Sequence, residues 1–151
     1  MSEEQFRLRL TQQDDFRFLV EFPDTGLAAL TTDEAPPVGQ HTGPDPARML
    51  AVGVANCLAA SLLFALRKYH NKPEPITADV QVTMARNEAK RMRIGGIEVS
   101  LRLGREAAEF QHLDRVLTQF EDFCIVTQSV RGGIPVQVRV ADSQGKVLKA
   151  E

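Results

Sequence analysis

The fold is decided by the stretch Gly43-Pro-Asp-Pro-Ala-Arg-Met-Leu-Ala-Val-Gly-Val-Ala-Asn-Cys57, which continues as Leu-Ala-Ala-Ser-Leu-Leu-Phe-Ala-Leu66. Asp45 is a good helix N-cap, because its carboxylate can accept hydrogen bonds from the free amides of the first turn. Pro46 follows at the first helical position, where its missing N–H costs nothing. The run after it is apolar or small on almost every face, which is typical of a helix buried all round or lying in a membrane. Because the run lies mid-chain and is short for a bilayer, we predict a long, buried central helix and no membrane span.

Size and composition favour one soluble domain. The chain has 151 residues, of which 25% are charged and 43% apolar, as is usual for a globular protein. We therefore expect a single domain over residues 1–151. The formal net charge of −2 provides no electrostatic reason to expect nucleic acid or an acidic membrane as a partner. The first residues are acidic and lack the pattern of a signal peptide, so we predict a cytoplasmic location.

Alternating polarity on both sides of the helix predicts strands. Three short runs before the helix indicate a meander whose first hairpin loop is Gln12-Gln13-Asp14. After the helix, a long pair of strands should meet at a charged tip between Arg86 and Arg93; we expect a solvated loop there rather than a phosphate site. An amphipathic helix over residues 107–123, a helical turn or two at 124–130 and two last strands complete the chain. This order predicts an α+β fold with largely antiparallel sheets.

The two cysteines, Cys57 and Cys124, are the candidate reactive groups. Two cysteines so far apart fit neither a disulfide-rich scaffold nor a CxxC metal site. No cluster of His, Cys and carboxylates has metal-ligand spacing, so we expect no metal and no other cofactor. From the residues alone, each cysteine is either a small buried hydrophobic residue or a reactive thiol.

Two motifs with the right spacing make the chain resemble the OsmC/Ohr family, the osmotically inducible protein C and organic hydroperoxide resistance proteins. The first motif is Gly-Pro-Asp-Pro at residues 43–46, with Cys57 eleven positions after the second proline. The second is Phe-Cys-Ile-Val at 123–126, followed by Arg-Gly-Gly at 131–133 and a strand. The loop at residues 33–44 and the order of the elements also resemble the family, so the resemblance covers nearly the whole chain.

The resemblance implies a fold, an assembly and a chemistry. The fold is an OsmC-like one, with antiparallel sheets packed around the central helices of an intertwined homodimer and an active site at the subunit interface. Cys57 is then the thiol that attacks an organic or hydrogen peroxide, and Cys124 is the thiol that resolves the sulfenic acid. An external dithiol would reduce the resulting disulfide. This function would belong to an oxidative stress response.

The groups that would activate Cys57 are less evident from the sequence. Hydroperoxide reductases of this family use an arginine from the first hairpin loop and a glutamate directly after the Asx-Pro pair, where this chain has Ala47. Because a cation near the thiolate is what activation requires, the substitutes are Arg48 at the helix start, Arg17 on the second strand and His41 in the loop. Asn56 either bonds a neighbouring backbone group or lines a pocket beside Cys57.

These departures leave a second hypothesis open. A family member without catalytic activity would bind an apolar ligand or a partner at the dimer interface. Its pocket would be lined by Met49, Phe64 and Phe123.

Overall fold

The computed structural model describes residues 3–150 and divides into two compact units, the first ending at Met49 and the second beginning at Leu50. The boundary falls within the long helix, so each unit is described separately. The helices and strands are β1 Arg9–Asp14, β2 Arg17–Glu21, β3 Leu30–Thr32, α1 Pro46–Lys68, β4 Thr77–Arg86, β5 Met92–Arg102, α2 Leu113–Gln119, α3 Ile125–Val130, β6 Val136–Ala141 and β7 Val147–Ala150.

The first unit contains the predicted meander, an antiparallel sheet in the order β1-β2-β3. The predicted hairpin loop is wrong, because residues 12–14 continue β1 and the turn is the pair Asp15-Phe16. Asp15 has φ 47°, a left-handed conformation that Asp tolerates and that two-residue hairpins need. Arg17 therefore comes directly after the turn. β1 is exposed along its whole length, with Leu10 56% exposed.

α1 begins as predicted. The Asp45 carboxylate accepts a hydrogen bond from the backbone N–H of Arg48 at 2.8 Å and so caps the helix. The helix is long and apolar enough to cross a membrane by length and composition, but core helices of soluble proteins pass the same test.

The prediction that α1 is buried all round is wrong for the single chain. One stripe is fully buried, and the opposite side is open, with Val52 58% and Phe64 76% exposed. The reason is that within this chain the core packs against one side of the helix. The fully buried stripe consists of Val54, Leu58, Leu62 and Leu66.

The second unit has a four-stranded sheet in the order β4-β5-β6-β7. Its pairs are antiparallel except β5–β6, which is parallel. A parallel neighbour requires a long crossover, and the chain from Arg102 to Val136 supplies one that carries α2 and α3. Alternate residues of β5 and β6 join the buried stripe of α1 in one core. An α+β fold with two sheets and one long helix is thereby confirmed.

The helix predicted over residues 107–123 is wrong as a single element. It is broken into a short 3-10 helix at Ala107–Glu109, then α2, then a second 3-10 turn at Phe120–Phe123. The break is caused by Asn71, which is buried and exchanges two hydrogen bonds with the backbone of Gln111, at 2.8 and 3.0 Å. A backbone amide satisfied in this way has no need of a helical partner. The helical turns expected after Cys124 are confirmed as α3.

Candidate thiol site

The second unit brings the two cysteines together. Cys57 lies on α1, and Cys124 is fully buried at the junction between the second 3-10 turn and α3. Both are free thiols, and a hydrogen bond joins them. The Sγ of Cys124 is also 2.9 Å from the Oγ1 of Thr127, whose hydroxyl donates to the Val54 carbonyl of α1 at 3.5 Å. The start of α3 is therefore tied to α1 one turn before Cys57.

Opposing effects act on the pKa of Cys57. Burial raises this pKa, whereas hydrogen bonds from the Cys124 thiol, the backbone amides of Val126 and Thr127 and the Ser61 hydroxyl lower it. The hydrogen bonds prevail, so the pKa of Cys57 is lowered. Donors that point at a sulfur stabilise its thiolate, which is the nucleophilic form.

The pKa of Cys124 is shifted the other way. Burial raises it first, and the hydrogen bond to Cys57 raises it further, while Thr127 opposes both effects. Of the two thiols, Cys57 is thus the one that ionises more readily, with Cys124 as a hydrogen-bond donor to it. The pair is asymmetric in the sense that a nucleophile and a resolving thiol require.

An apolar cavity of about 460 Å³ adjoins Cys57. Its rim is exposed at Phe64, Phe123 and Ile125, each about three-quarters exposed. Ser61, Lys68 and Gln119 supply polar groups in a lining that is otherwise mostly apolar. The lining consists of Cys57, Ala60, Ser61, Phe64, Ala65, Lys68, Tyr69, Val116, Gln119, Phe120, Phe123 and Ile125.

The three cations proposed as activators belong to the first unit. Arg48 is 63% exposed and pairs with the capping carboxylate of Asp45. Arg17 pairs with Asp14 at 2.8 Å. His41 is exposed and donates its backbone N–H to the Glu34 carbonyl at 3.0 Å. Arg48 and Arg17 thus pair with carboxylates of their own unit, and activation of Cys57 by any of the three stays a prediction.

Two other predicted pocket residues fall elsewhere. Asn56 is exposed on α1 and is not among the residues that line this cavity, and its role stays a prediction. Of the apolar trio predicted for the binding pocket, Phe64 and Phe123 line the cavity, whereas Met49 belongs to the first unit. Among residues 3–150, no three His, Cys, Asp or Glu side chains converge in a way that could hold a metal ion.

Sequence reasoning missed the donors that act on Cys57. Ser61 lies one helical turn after Cys57 on α1. The amides of Val126 and Thr127 leave no mark in a sequence, because nearly every residue carries a backbone N–H. The pairing of the two cysteine motifs that the family resemblance implies was the one available signal.

The fold and the thiol pair define an α+β protein with a candidate dithiol site. Residues 39–139 match the OsmC-like protein family, and the chain belongs to that family. No curated protein matches it.

Solved structures share the fold at low identity. A Psychrobacter arcticus protein with a suggested role in osmotic stress and detoxification is 20% identical, with a TM-score of 0.74 over 92% of this chain and 98% of that one. An organic hydroperoxide resistance protein OsmC from Legionella pneumophila is 15% identical, with a TM-score of 0.70 over 94% and 99%. A Vibrio cholerae protein, suggested to confer organic hydroperoxide resistance and holding captopril in one of its active sites, is 18% identical, with a TM-score of 0.68 over 97% and 96%.

Proposed function

We propose that this chain is a thiol-dependent peroxidase that reduces organic or hydrogen peroxides through Cys57 and Cys124. The observation that carries the proposal is the environment of Cys57. Its sulfur accepts hydrogen bonds from a second thiol and two backbone amides, has a lowered pKa and adjoins an apolar cavity. The names of the Legionella and Vibrio relatives, which refer to organic hydroperoxide resistance, support the same class of substrate.

The reaction would have two steps on the protein. The Cys57 thiolate attacks the terminal oxygen of the hydroperoxide, so that an S–O bond forms, the O–O bond breaks and the alkoxide leaves as an alcohol after taking up a proton. Cys124 then attacks the sulfur of the Cys57 sulfenic acid, an S–S bond forms and water leaves. An external dithiol restores both thiols by exchange and is itself oxidised to a disulfide.

The site supplies what each step needs. Hydrogen bonds from the amides of Val126 and Thr127 lower the pKa of Cys57 and so favour its thiolate. Cys124 is already hydrogen-bonded to Cys57, so resolution requires no long movement. The cavity would hold the apolar body of an organic peroxide beside the sulfur. We further propose that two copies form the homodimer that the family resemblance implies.

The test is a thiol count on the pure protein. Intact mass after alkylation is measured before and after a few equivalents of cumene hydroperoxide. We expect both thiols to be lost quickly, through a disulfide between Cys57 and Cys124. In Cys57→Ser peroxide consumption should stop, whereas in Cys124→Ser one turnover should leave a sulfenic acid that dimedone traps. Two intact thiols after peroxide treatment would overturn the proposal.

The cavity also favours a second function, the binding of an apolar ligand or partner without turnover. In that case an apolar molecule should be retained on the protein after alkylation of both cysteines, because the lining is mostly carbon. Native mass spectrometry of the alkylated protein with an aromatic probe would detect the mass of the complex. Peroxide-driven loss of both thiols would reject this second function as the sole role of the site.

A further inference from the structure

A buried carboxylate lies next to the thiol site in the chain and is not used by the proposed reaction. Glu121 is 5% exposed and pairs with the Nη2 of Arg131 at 2.7 Å and the Nζ of Lys149 at 2.6 Å. Burial raises the pKa of Glu121, and the hydrogen bonds and charges of Lys149 and Arg131 outweigh this effect and lower it. A charge buried at a cost needs such partners, and losing it leaves them uncompensated.

The backbone of Glu121 is hydrogen-bonded to the segment of residues 120–131, which carries Cys124 and α3. Its carbonyl accepts hydrogen bonds from the Cys124 amide at 3.1 Å and from the Nε2 of Gln128 at 2.9 Å. Gln128 belongs to α3, the helix whose first turn presents amides to Cys57.

The two cations attach this segment to the rest of the second unit. Arg131 follows α3 and also donates to the Val136 carbonyl of β6 at 3.3 Å. Lys149 lies on β7, donates to the Leu117 carbonyl at 2.7 Å and lies over the Phe120 ring at 5.2 Å. The Glu121 carboxylate is therefore the shared partner of Arg131, at the other end of the segment, and of Lys149 in the sheet.

We propose that Glu121 is a positioning residue whose two ion pairs hold residues 120–131 against α1, so that the Cys124 thiol and the amides of Val126 and Thr127 stay on the Cys57 sulfur. This inference rests on the proposed function. Glu121 would not contact the peroxide. It would act through the segment that carries the donors to Cys57.

A direct charge effect would have the opposite sign, which makes the inference testable. Replacing Glu121 by Gln removes a negative charge and leaves two cations, and charge alone would favour the Cys57 thiolate. Loss of positioning would instead withdraw hydrogen-bond donors and disfavour it.

The experiment is the pH dependence of Cys57 alkylation by iodoacetamide in the Cys124→Ser background and in the full pair. We expect Glu121→Gln to shift the profile to higher pH and to slow alkylation at neutral pH about tenfold, the effect of one unit of pKa on thiolate content. Glu74→Gln is the matched control, because it breaks the exposed Arg67–Glu74 pair of 2.7 Å and should leave the profile unchanged. Lys149→Arg keeps the ion pair and should behave as the wild type.

A second variant covers the case in which Glu121→Gln does not fold. Lys149→Met keeps one ion pair, and its smaller upward shift should persist at about 1 M salt, where charge effects are screened. An unchanged or lowered profile in the folded variants would overturn the positioning role. If wild-type Cys57 itself titrates as an ordinary thiol, it is the proposed function that fails.

Discussion

Hydrogen bonds lower the pKa of Cys57, which burial alone would raise. Half-burial on an apolar helix raises the pKa of a cysteine, yet its four donors, Cys124, Val126, Thr127 and Ser61, reverse the direction. None of these four donors carries a formal charge. Two of these donors are backbone amides, which only a substitution by proline removes.

Asp33 illustrates the same principle in the first unit. Its carboxylate accepts hydrogen bonds from the amides of Glu34, Gln40 and Thr42 and from the Thr42 hydroxyl, at 2.8 to 3.1 Å. These bonds, those of Thr42 first, lower the pKa of Asp33 to about 2. The acidic side chain thus shapes the loop that leads to α1.

The sign of this shift makes Asp33 a source of pH-dependent stability. A lowered pKa stabilises the folded state above the unfolded value of 3.8, and this contribution is lost as the pH falls towards about 2. We expect Asp33→Asn to lower the melting temperature at pH 7. The difference in melting temperature between the variant and the wild type should be smaller at about pH 3. Asp24→Asn, at a carboxylate that is 79% exposed, should change the melting temperature little at either pH. A difference for Asp33→Asn that is the same at both pH values would contradict this account.

At the scale of elements, α3 is the part that brings backbone N–H donors to Cys57. It has six residues, too few to be stable alone, and its place depends on the Thr127 contacts and on Glu121. Its first turn offers N–H groups that no helical carbonyl can accept. The Cys57 sulfur accepts two of these hydrogen bonds, and α3 thereby lowers the pKa of a thiol on α1.

Two proline substitutions in the first turn of α3 would distinguish the roles of neighbouring amides. Val126→Pro deletes an amide that donates to Cys57, whereas Ile125→Pro deletes one that is not among those donors and follows an extended residue, which proline tolerates. A hydrogen bond to a charged group is worth about 1.5–3 kcal/mol. We therefore expect Val126→Pro to slow Cys57 alkylation at neutral pH about tenfold or more.

Ile125→Pro, the matched control, should slow alkylation little. Circular dichroism would establish that both variants fold. Equal rates in the two variants would show that the amide of Val126 contributes nothing to the reactivity of Cys57.

Elements with a strong local pattern were predictable from the sequence, and those set by distant contacts were not. The start of α1 follows from Asp45 and Pro46 alone, and the meander follows from alternation. The break near Gln111 was hidden because its cause, Asn71, is 40 residues away. The thiol pair was expected through the family motifs, whereas its activation by backbone amides has no side-chain signature to read.

For the molecule as a whole, the exposed apolar side of α1 is the feature without a partner in the chain as described. Val52 and Phe64 are exposed there, and Phe123 and Ile125 extend the apolar surface at the cavity rim. Contiguous apolar surface on a folded protein marks an interaction site. A second copy of the chain is the occupant that the family resemblance implies, and covering this surface would also close the cavity.

Val52→Asp tests that assembly without touching the thiol pair. Val52 is 58% exposed and is not a cavity residue. We expect the wild type to be a dimer by light scattering and the variant to shift towards monomer, because a buried unpaired carboxylate costs several kcal/mol. Gln144→Asp, in the turn before β7, adds the same charge at an exposed site and should leave the dimer intact.

The monomeric variant would also separate two properties of the site. The donors to Cys57 come from within one chain, so the pH profile of alkylation should survive dissociation. The cavity, in contrast, would lose the cover of its exposed rim, and turnover of an apolar peroxide such as cumene hydroperoxide should fall more than turnover of hydrogen peroxide. Equal losses for both peroxides would mean that the partner contributes to the chemistry itself. A wild type that is already a monomer would remove the assembly from the proposal and leave the thiol pair to act alone.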